Sequence, residues 1–451
     1  MLKKFLILIA RFPWVFVASI VFTITGIMLI GSMVGVELSK NSYEIFQNLM
    51  FTATLALPLL TALALIGERY RTMVARLWQG VGLGVLVIYY LTRGNEIVEL
   101  VEQSLAILFF TGAAYLLLLA VPFFYKIDSQ KVWRFWKTLA IRFLITFIYG
   151  FVLFIGLALA LTAVRFLFDL QFSVLWYHRI WLIVVGIFGV WYFLAGLPAP
   201  SKDLDDHYPR PLKTLFLWIL LPLLALFLVI LYVYVAKIVF VWAWPKDGVA
   251  QWILGCSAFA ILCFLIAYPL LDVYKQLRRV FFLIACLFIP LFVVLFLGIG
   301  IRISAYGFTI NRLIVVLAGG WALVLYVYFL STRLRGKIVY VPLSLAILCA
   351  VASVGPWRVF NIAFHSQLGR LESLLQANGL LVNGIPLKEP AVVLSDEARR
   401  DIVSIISYLA THHNLQGRRV WVDQIIGSSP MMPWEGEDRI MNYFGINRYN
   451  F

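Results

Sequence analysis

Apolar residues run in eleven stretches between Pro13 and Val354, and no Asp, Glu, Lys, Arg, His or Asn interrupts any of them. A polar tail of 95 residues follows from Trp357. The hydrocarbon core of a bilayer offers no water to backbone amides, so a crossing segment must satisfy them internally as a helix. Such a crossing takes about 20 residues. The pattern therefore predicts spans at 13–36, 50–66, 77–91, 103–124, 143–164, 180–197, 214–236, 250–271, 280–301, 313–330 and 338–354, the third being the shortest. The expected fold is an all-α polytopic membrane bundle over 1–356, with a small α+β domain outside the cytoplasm over 357–451.

The tail has its own pattern. Leu368, Leu371, Leu374 and Leu375 make one apolar helical face, with Ser366 expected as its N-cap and Asn378-Gly379 as a left-handed stop. Asn383-Gly384 is a hairpin turn signal. Ser395 is expected to start a second helix carrying Ile402, Ile405, Ile406 and Leu409, Val420–Val422 to form a strand, and Asp438–Phe444 to form a last helix stopped by Gly445.

Composition agrees: 63% of residues are apolar and 13% charged, against about half and a quarter in soluble domains. Net charge changes the picture once it is placed. Residues 1–356 hold 28 Lys and Arg against 13 Asp and Glu, which accounts for the whole +15, while the tail holds nine of each. The excess belongs to membrane loops, so nucleic acid is not an expected partner. Alternate connections carry 20 basic residues and the opposite set 8. The positive-inside rule then puts the N-terminus in the cytoplasm, and eleven crossings put the tail outside. Lys3, Lys4 and Arg11 precede a first stretch too long for a signal peptide, which is read as an anchor. Cys256, Cys263, Cys286 and Cys349 all fall inside spans and are expected to pack as small apolar groups. Pro58, Pro122, Pro222, Pro269, Pro290 and Pro342 fall in or at the ends of spans, as kinks that neighbouring helices tolerate.

Several polar positions invite chemistry and have plainer explanations. In 125–142, Lys131, Trp133, Arg134, Trp136 and Lys137 fit an amphipathic helix on the inner leaflet, with Trp at headgroup depth and cations toward anionic lipid. They fit equally well a simple extension of the next span. Asp203, Asp205, Asp206 and His207 fit a solvated loop better than a cation site, and Glu96, Glu99 and Glu102 a solvated helix start. Arg165 and Asp169 are spaced for an ion pair in an interfacial helix. Gly80 and Gly84 fit close helix packing rather than a nucleotide loop, and His412 and His413 a helix end rather than a metal site. No nucleotide, zinc-protease or nucleophile motif is present, so neither a cofactor nor a catalytic set is expected.

One connection stands apart. Arg302 and Arg312 bracket Ser304, Tyr306, Gly307, Thr309 and Asn311 between two long apolar runs. Arg302, Tyr306, Thr309 and Arg312 are expected either to bind an anionic lipid headgroup or dock the tail, or to form an ordinary hairpin with two snorkelling arginines. This loop, then Asn361, Ser366-Gln367-Leu368, Arg370-Leu371, Leu374-Leu375, Asn378-Gly379-Leu380, Asn383-Gly384, Ile402–Ile405 and Tyr408-Leu409, resembles a bacterial polytopic inner-membrane family, domain of unknown function four-one-five-three. The resemblance extends over essentially the whole chain and is specific from Arg302 to about Leu409. It implies a bacterial inner-membrane protein with no assigned activity. Family members often continue past the position of Phe451, which implies a tail domain open to being a shortened one.

Spans without charged groups argue against an ion or solute transporter, because such carriers place polar side chains at mid-membrane. A carrier of lipids needs grooves rather than charges and stays open. A many-span glycosyltransferase would need outward carboxylates, and the first outer loop offers only Glu37 and Glu44. The favoured expectation is a scaffold or sensor whose outer tail engages an envelope protein or membrane lipid, with the tail helices and the Arg302–Arg312 loop forming one surface.

Overall fold

The computed structural model describes residues 2–32, 38–68, 72–93, 101–123, 128–170, 173–198, 207–241, 248–387, 394–413, 419–427 and 433–446. A ten-residue helix α1 (Leu2–Arg11), not among the elements expected from the sequence, precedes α2 (Pro13–Ser32). Then follow α3 (Lys40–Gly67), α4 (Thr72–Arg93), α5 (Val101–Ala120), α6 (Ser129–Leu167), α7 (Leu175–Ala195), α8 (Arg210–Val241), α9 (Val249–Val273), α10 (Lys275–Tyr306) and α11 (Ile310–Ser331). α12 (Tyr340–Ser353) and α13 (Val359–Ala377) lead to a hairpin of β1 (Leu381–Val382) and β2 (Ile385–Pro386). Helices α14 (Asp396–His412), α15 (Val420–Ile426) and α16 (Pro433–Tyr443) end the described chain.

The architecture is that of a multi-pass helical membrane protein. Among the described residues eight helices, α2, α3 and α6 to α11, are long and apolar enough to cross a membrane. The remaining three expected stretches fall on α4, α5 and α12. Helix α12 has 14 residues, a length of about 21 Å where about 30 Å is needed. Leu334, Ile338 and Val339 just before it are buried, so the chain re-enters the apolar interior before its helix begins. Non-helical backbone is tolerated there because protein encloses it.

Helix α2 packs along α3, α3 along α4 and α5, and α5 along α12, while α9, α10 and α11 form a second group. Half of the apolar window of α3 and of α9 is buried but only 11% of that of α6, which places α6 at the rim. Two π-helical stretches have visible causes. Phe216–Leu220 in α8 ends two residues before Pro222, which has no backbone N–H to donate. Val184–Gly189 in α7 presses Gly186 onto α2, where a Cβ would lie 2.2 Å from Thr23 Oγ1. Beside it the Trp191 indole donates to Ser19 Oγ at 3.0 Å. Close packing of α4 on α3 falls at Gly82, whose Cβ would meet Leu63 at 2.4 Å, and not at Gly80 or Gly84, which have nothing within 4 Å.

The basic connections meet one another at one end of the bundle. Arg11 pairs with Glu68 and donates to the Leu197 carbonyl, Lys137 donates to the His207 carbonyl and Lys213 to the Tyr274 hydroxyl. Gln130 and Arg278 share Asp272, and the Tyr268 hydroxyl approaches the Gly336 carbonyl. These contacts join connections that precede α2, α6 and α8 and follow α3, α7, α9 and α11, so all lie on one side.

The C-terminal segment is helical around one small hairpin. Val420–Val422 opens helix α15 instead of forming a strand, because Trp421 and Val422 turn inward on a helical face; the α+β expectation is corrected accordingly. The Asn383-Gly384 turn has both residues at positive φ, 51° and 79°, and sets the register Leu381 to Pro386 and Val382 to Ile385. Helix α13 stops where expected: Gly379 is left-handed, its amide meets the Gln376 carbonyl and the Leu380 amide meets that of Leu375. Ser395 caps α14 by accepting the Ala398 amide. Leu368, Leu371, Leu375, Ile402, Ile405, Ile406, Leu409, Trp421 and Met441 fill the core of this segment.

Candidate functional site

The loop between α10 and α11 is shorter than the sequence suggested. Helix α10 continues through Arg302 to Tyr306, Gly307 breaks it at φ 69° and ψ −178°, and α11 resumes at Ile310. That conformation is essentially confined to glycine. The turn Tyr306–Ile310 leaves backbone groups that no helix satisfies, and the C-terminal segment supplies the partners. Ser366 Oγ accepts the Phe308 amide at 2.9 Å, and the Tyr408 hydroxyl accepts the Ile310 amide at 2.9 Å. Gln367 Nε2 donates to the carbonyls of Tyr306 at 2.9 Å and Phe308 at 2.8 Å. Ser366 is therefore not the N-cap of α13, which begins seven residues earlier; it lies within the helix and faces the turn.

Gly307 is required a second time by this arrangement. A Cβ there would stand 3.0 Å from Gln367 Nε2 and 3.1 Å from Ser366 Oγ. Beneath the turn, Ile310, Leu313, Ala352, Val359, Phe360 and Ala363 form an apolar floor against Leu105, Ala106 and Phe109. Polar bonds above and apolar packing below join α13 and α14 to the ends of α5, α11 and α12.

Three cations surround the same turn. Arg312 NH1 donates to the Tyr306 and Gly307 carbonyls at 3.1 and 2.8 Å. Arg370 NH1 donates to the Tyr306 carbonyl at 3.3 Å, and its NH2 pairs with Asp401 at 2.8 Å. Both guanidinium groups sit by the exposed Tyr306 ring, at 5.5 and 5.7 Å from its centroid. Arg302, one helical turn before Tyr306, acts electrostatically on Arg312, as does Arg370. Thr309 is the N-cap residue of α11, and its side chain makes no capping bond. Sequence spacing singled out Arg302, Tyr306, Thr309 and Arg312; it missed Gln367, Arg370, Asp401 and Tyr408 as their neighbours. The isolated Gln367 on an apolar helix face, buried here to 3% exposure, was the available signal.

The second candidate set is placed differently from the inner-leaflet picture. Lys131, Trp133, Arg134, Trp136 and Lys137 form the first turns of α6, continuous with its span and capped by Asp128. Both Trp rings turn into the protein: Trp133 Nε1 donates to the Leu265 carbonyl and Trp136 Nε1 to that of Leu119, each at 3.0 Å. Trp133 also stacks on Tyr208, whose hydroxyl burial pushes up to about 12. Lys137 reaches over the Trp133 ring to the His207 carbonyl. Trp133 prefers this interior because its indole donor finds a carbonyl there.

Other candidates yield no chemistry. Arg165 and Asp169 are both exposed and make no ion pair with each other; Asp169, at φ 49°, helps to end α6. Asp203, Asp205, Asp206, Glu37, Glu96 and Glu99, and the side chain of Glu102, lie outside the described residues. Glu44 is buried on α3. Among the described residues no group of three His, Cys, Asp or Glu could hold a metal ion. His412 stacks on Tyr408 at 4.4 Å and its Nδ1 meets the Tyr408 carbonyl at 3.0 Å; burial first, and His413 beside it, hold the imidazole below its usual range against the opposing effect of that hydrogen bond.

Comparison with known proteins gives a family and no activity. The model described as Domain of unknown function (DUF4153) matches residues 17–378, from α2 to the end of α13. Residues 383–409, which contributed to the resemblance in the sequence, lie beyond that match. An uncharacterised protein of Pasteurella multocida (strain Pm70) is 28% identical over 231 residues, covering 49% of this chain and 38% of the relative. The aligned part is thus well under half of that relative's length. No solved structure matches the chain.

Proposed function

Because the chain belongs to the DUF4153 family of unknown function, we propose its role from its own geometry: a membrane-embedded scaffold or sensor whose C-terminal helices, held on the α10–α11 turn, engage an envelope component. The supporting observation is the bonding of the turn's backbone by Ser366, Gln367 and Tyr408. A tail on a free linker would be a tether, whereas one bonded to a turn between two membrane helices is mechanically coupled to them. In this reading residues 1–356 form the membrane part and 357–451 the engaging part. Eleven helices cross a bacterial inner membrane, and the basic end faces the cytoplasm as the positive-inside rule requires. The turn and the C-terminal helices then face outward.

Recovery of crosslinked proteins and lipids from native membranes tests the proposal, comparing the full chain with one ending before Trp357. Envelope components held only by the full chain support it. An identical set from both chains contradicts it.

A further inference from the structure

Glu44 takes part in no reaction chemistry, yet its setting calls for a ligand. It lies on α3 with Gln47 and Asn48 at i+3 and i+4, so the three share one helix face, and they are buried to 6%, 8% and 4% exposure. A carboxylate is almost never buried to this degree without a partner, because leaving water is costly for a lone ion. Among the described residues no hydrogen bond or ion pair reaches the Glu44 side chain, and its oxygens keep a narrow opening to the outside. What the carboxylate lacks is a donor carrying positive charge.

A cation of the protein stands close without meeting that need. Arg93, at the end of α4, holds its Nε 3.4 Å from Asn48 Oδ1 and its guanidinium 5.2 Å from the Phe51 ring centroid, and it interacts with the Tyr89 hydroxyl. These partners are neutral, so they fix the guanidinium without neutralising it. Asn48 and Phe51 follow Glu44 by four and seven residues on the same face of α3, which brings carboxylate and guanidinium to one side of the helix, unbonded to each other. Opposite charges held near one another but apart match a zwitterion, with its ammonium at Glu44 and its anionic group at Arg93.

Depth in the bundle says which zwitterion fits. Just beyond the far end of α3 lie the basic connections, where Glu68 pairs with Arg11, so Glu44 is at the opposite end. The apolar run of α3 starts at Met50, which leaves Glu44 to Asn48 just outside the hydrocarbon, among the polar headgroups. Arg93 shares this depth through Asn48, and next to it α4 exposes Val87, Ile88 and Leu91, an apolar surface for an acyl chain. A guanidinium binds phosphate oxygens two at a time. A primary ammonium brings three N–H donors to the carboxylate, whereas a trimethylated one brings none.

We propose that Glu44 and Arg93 bind the headgroup of an aminophospholipid of the phosphatidylethanolamine type, its ammonium on Glu44, its phosphate on Arg93 and an acyl chain along the exposed face of α4. This rests on the membrane-embedded reading above and not on the docked tail. Soluble phosphoethanolamine carries the same headgroup chemistry; the apolar face of α4 decides for the lipid.

The test uses the full chain in nanodiscs of dioleoyl phosphatidylcholine, with dioleoyl phosphatidylethanolamine titrated in and retained lipid counted by native mass spectrometry. One phosphatidylethanolamine per chain should be retained, at least tenfold over phosphatidylglycerol at equal mole fraction. Retention should fall at least tenfold in E44Q and several-fold in R93Q. Should E44Q misfold, wild-type protein still decides: successive N-methylation of the headgroup should lower retention step by step, because each methyl group removes a donor. Equal retention of all headgroups, or retention unchanged in E44Q, would mean unspecific annular lipid and overturn the proposal, as would displacement by millimolar phosphoethanolamine in solution. Hydrogen exchange over 359–377 reads the tail separately. Rapid exchange there would sink the docked-tail reading and leave lipid retention untouched, whereas slow exchange with retention indifferent to Glu44 would sink the headgroup site alone.

Discussion

The Tyr408 hydroxyl accepts the Ile310 amide at 2.9 Å, capping a membrane helix with a side chain from 98 residues further along the chain. The first amides of a helix lack intrahelical acceptors, and here one is satisfied from the tail. Tyr408→Phe keeps the ring and deletes the acceptor. It should destabilise the docked arrangement by about 1–3 kcal/mol, the cost of leaving a buried amide unpaired. Faster hydrogen exchange at 306–313 with unchanged exchange in α9 is the expected result.

Gly307→Ala meets two obstacles, a backbone region reserved for glycine and contacts at 3.0 and 3.1 Å to Gln367 and Ser366. Strain of about 1–3 kcal/mol is expected from the backbone alone. The tail should lose protection over α13 and the melting temperature should fall. An alanine variant indistinguishable from wild type would refute this account of the turn.

Acid should loosen the tail through His412. Its folded-state value lies below the unfolded one, so protonation favours the unfolded form. The group is neutral in both states well above about 6.5, the ordinary imidazole value, and contributes nothing there. Stability falls as pH drops through that value. Thermal unfolding of the tail at pH 7.5 and pH 5.5 should show the loss, and His412→Phe should reduce it.

Gly186→Val forces a side chain into Thr23 and Phe22 of α2. Overpacking of this kind costs about 1–3 kcal/mol. Since only 17% of the apolar window of α7 is buried, lower thermal stability in detergent with a retained helical signal is expected.

Much of this architecture is legible in hydropathy, because a bilayer leaves helices as the solution for each apolar run and turn chemistry is local. Asn383-Gly384, Gly379 and Ser395 act as expected since their effects span four residues or fewer. What hydropathy could not show is which side chains meet across long separations. Ser366 has the composition of a helix cap yet serves a turn 58 residues away. Trp133 has the placement of a lipid anchor yet donates to a carbonyl 132 residues away. Val420–Val422 is rich in strand-forming residues, and tertiary packing of Trp421 overrides that preference.

The central claim is that the tail lies with the α10–α11 turn, on the side opposite the basic connections and outside the cytoplasm. Single cysteines at the exposed positions Asn311, Glu397 and Lys275, in a chain whose four native cysteines are replaced, test it with a membrane-impermeant thiol reagent on intact cells. The account predicts labelling at 311 and 397 without permeabilisation and at 275 only after it. Labelling of 397 together with 275, and not with 311, would contradict it.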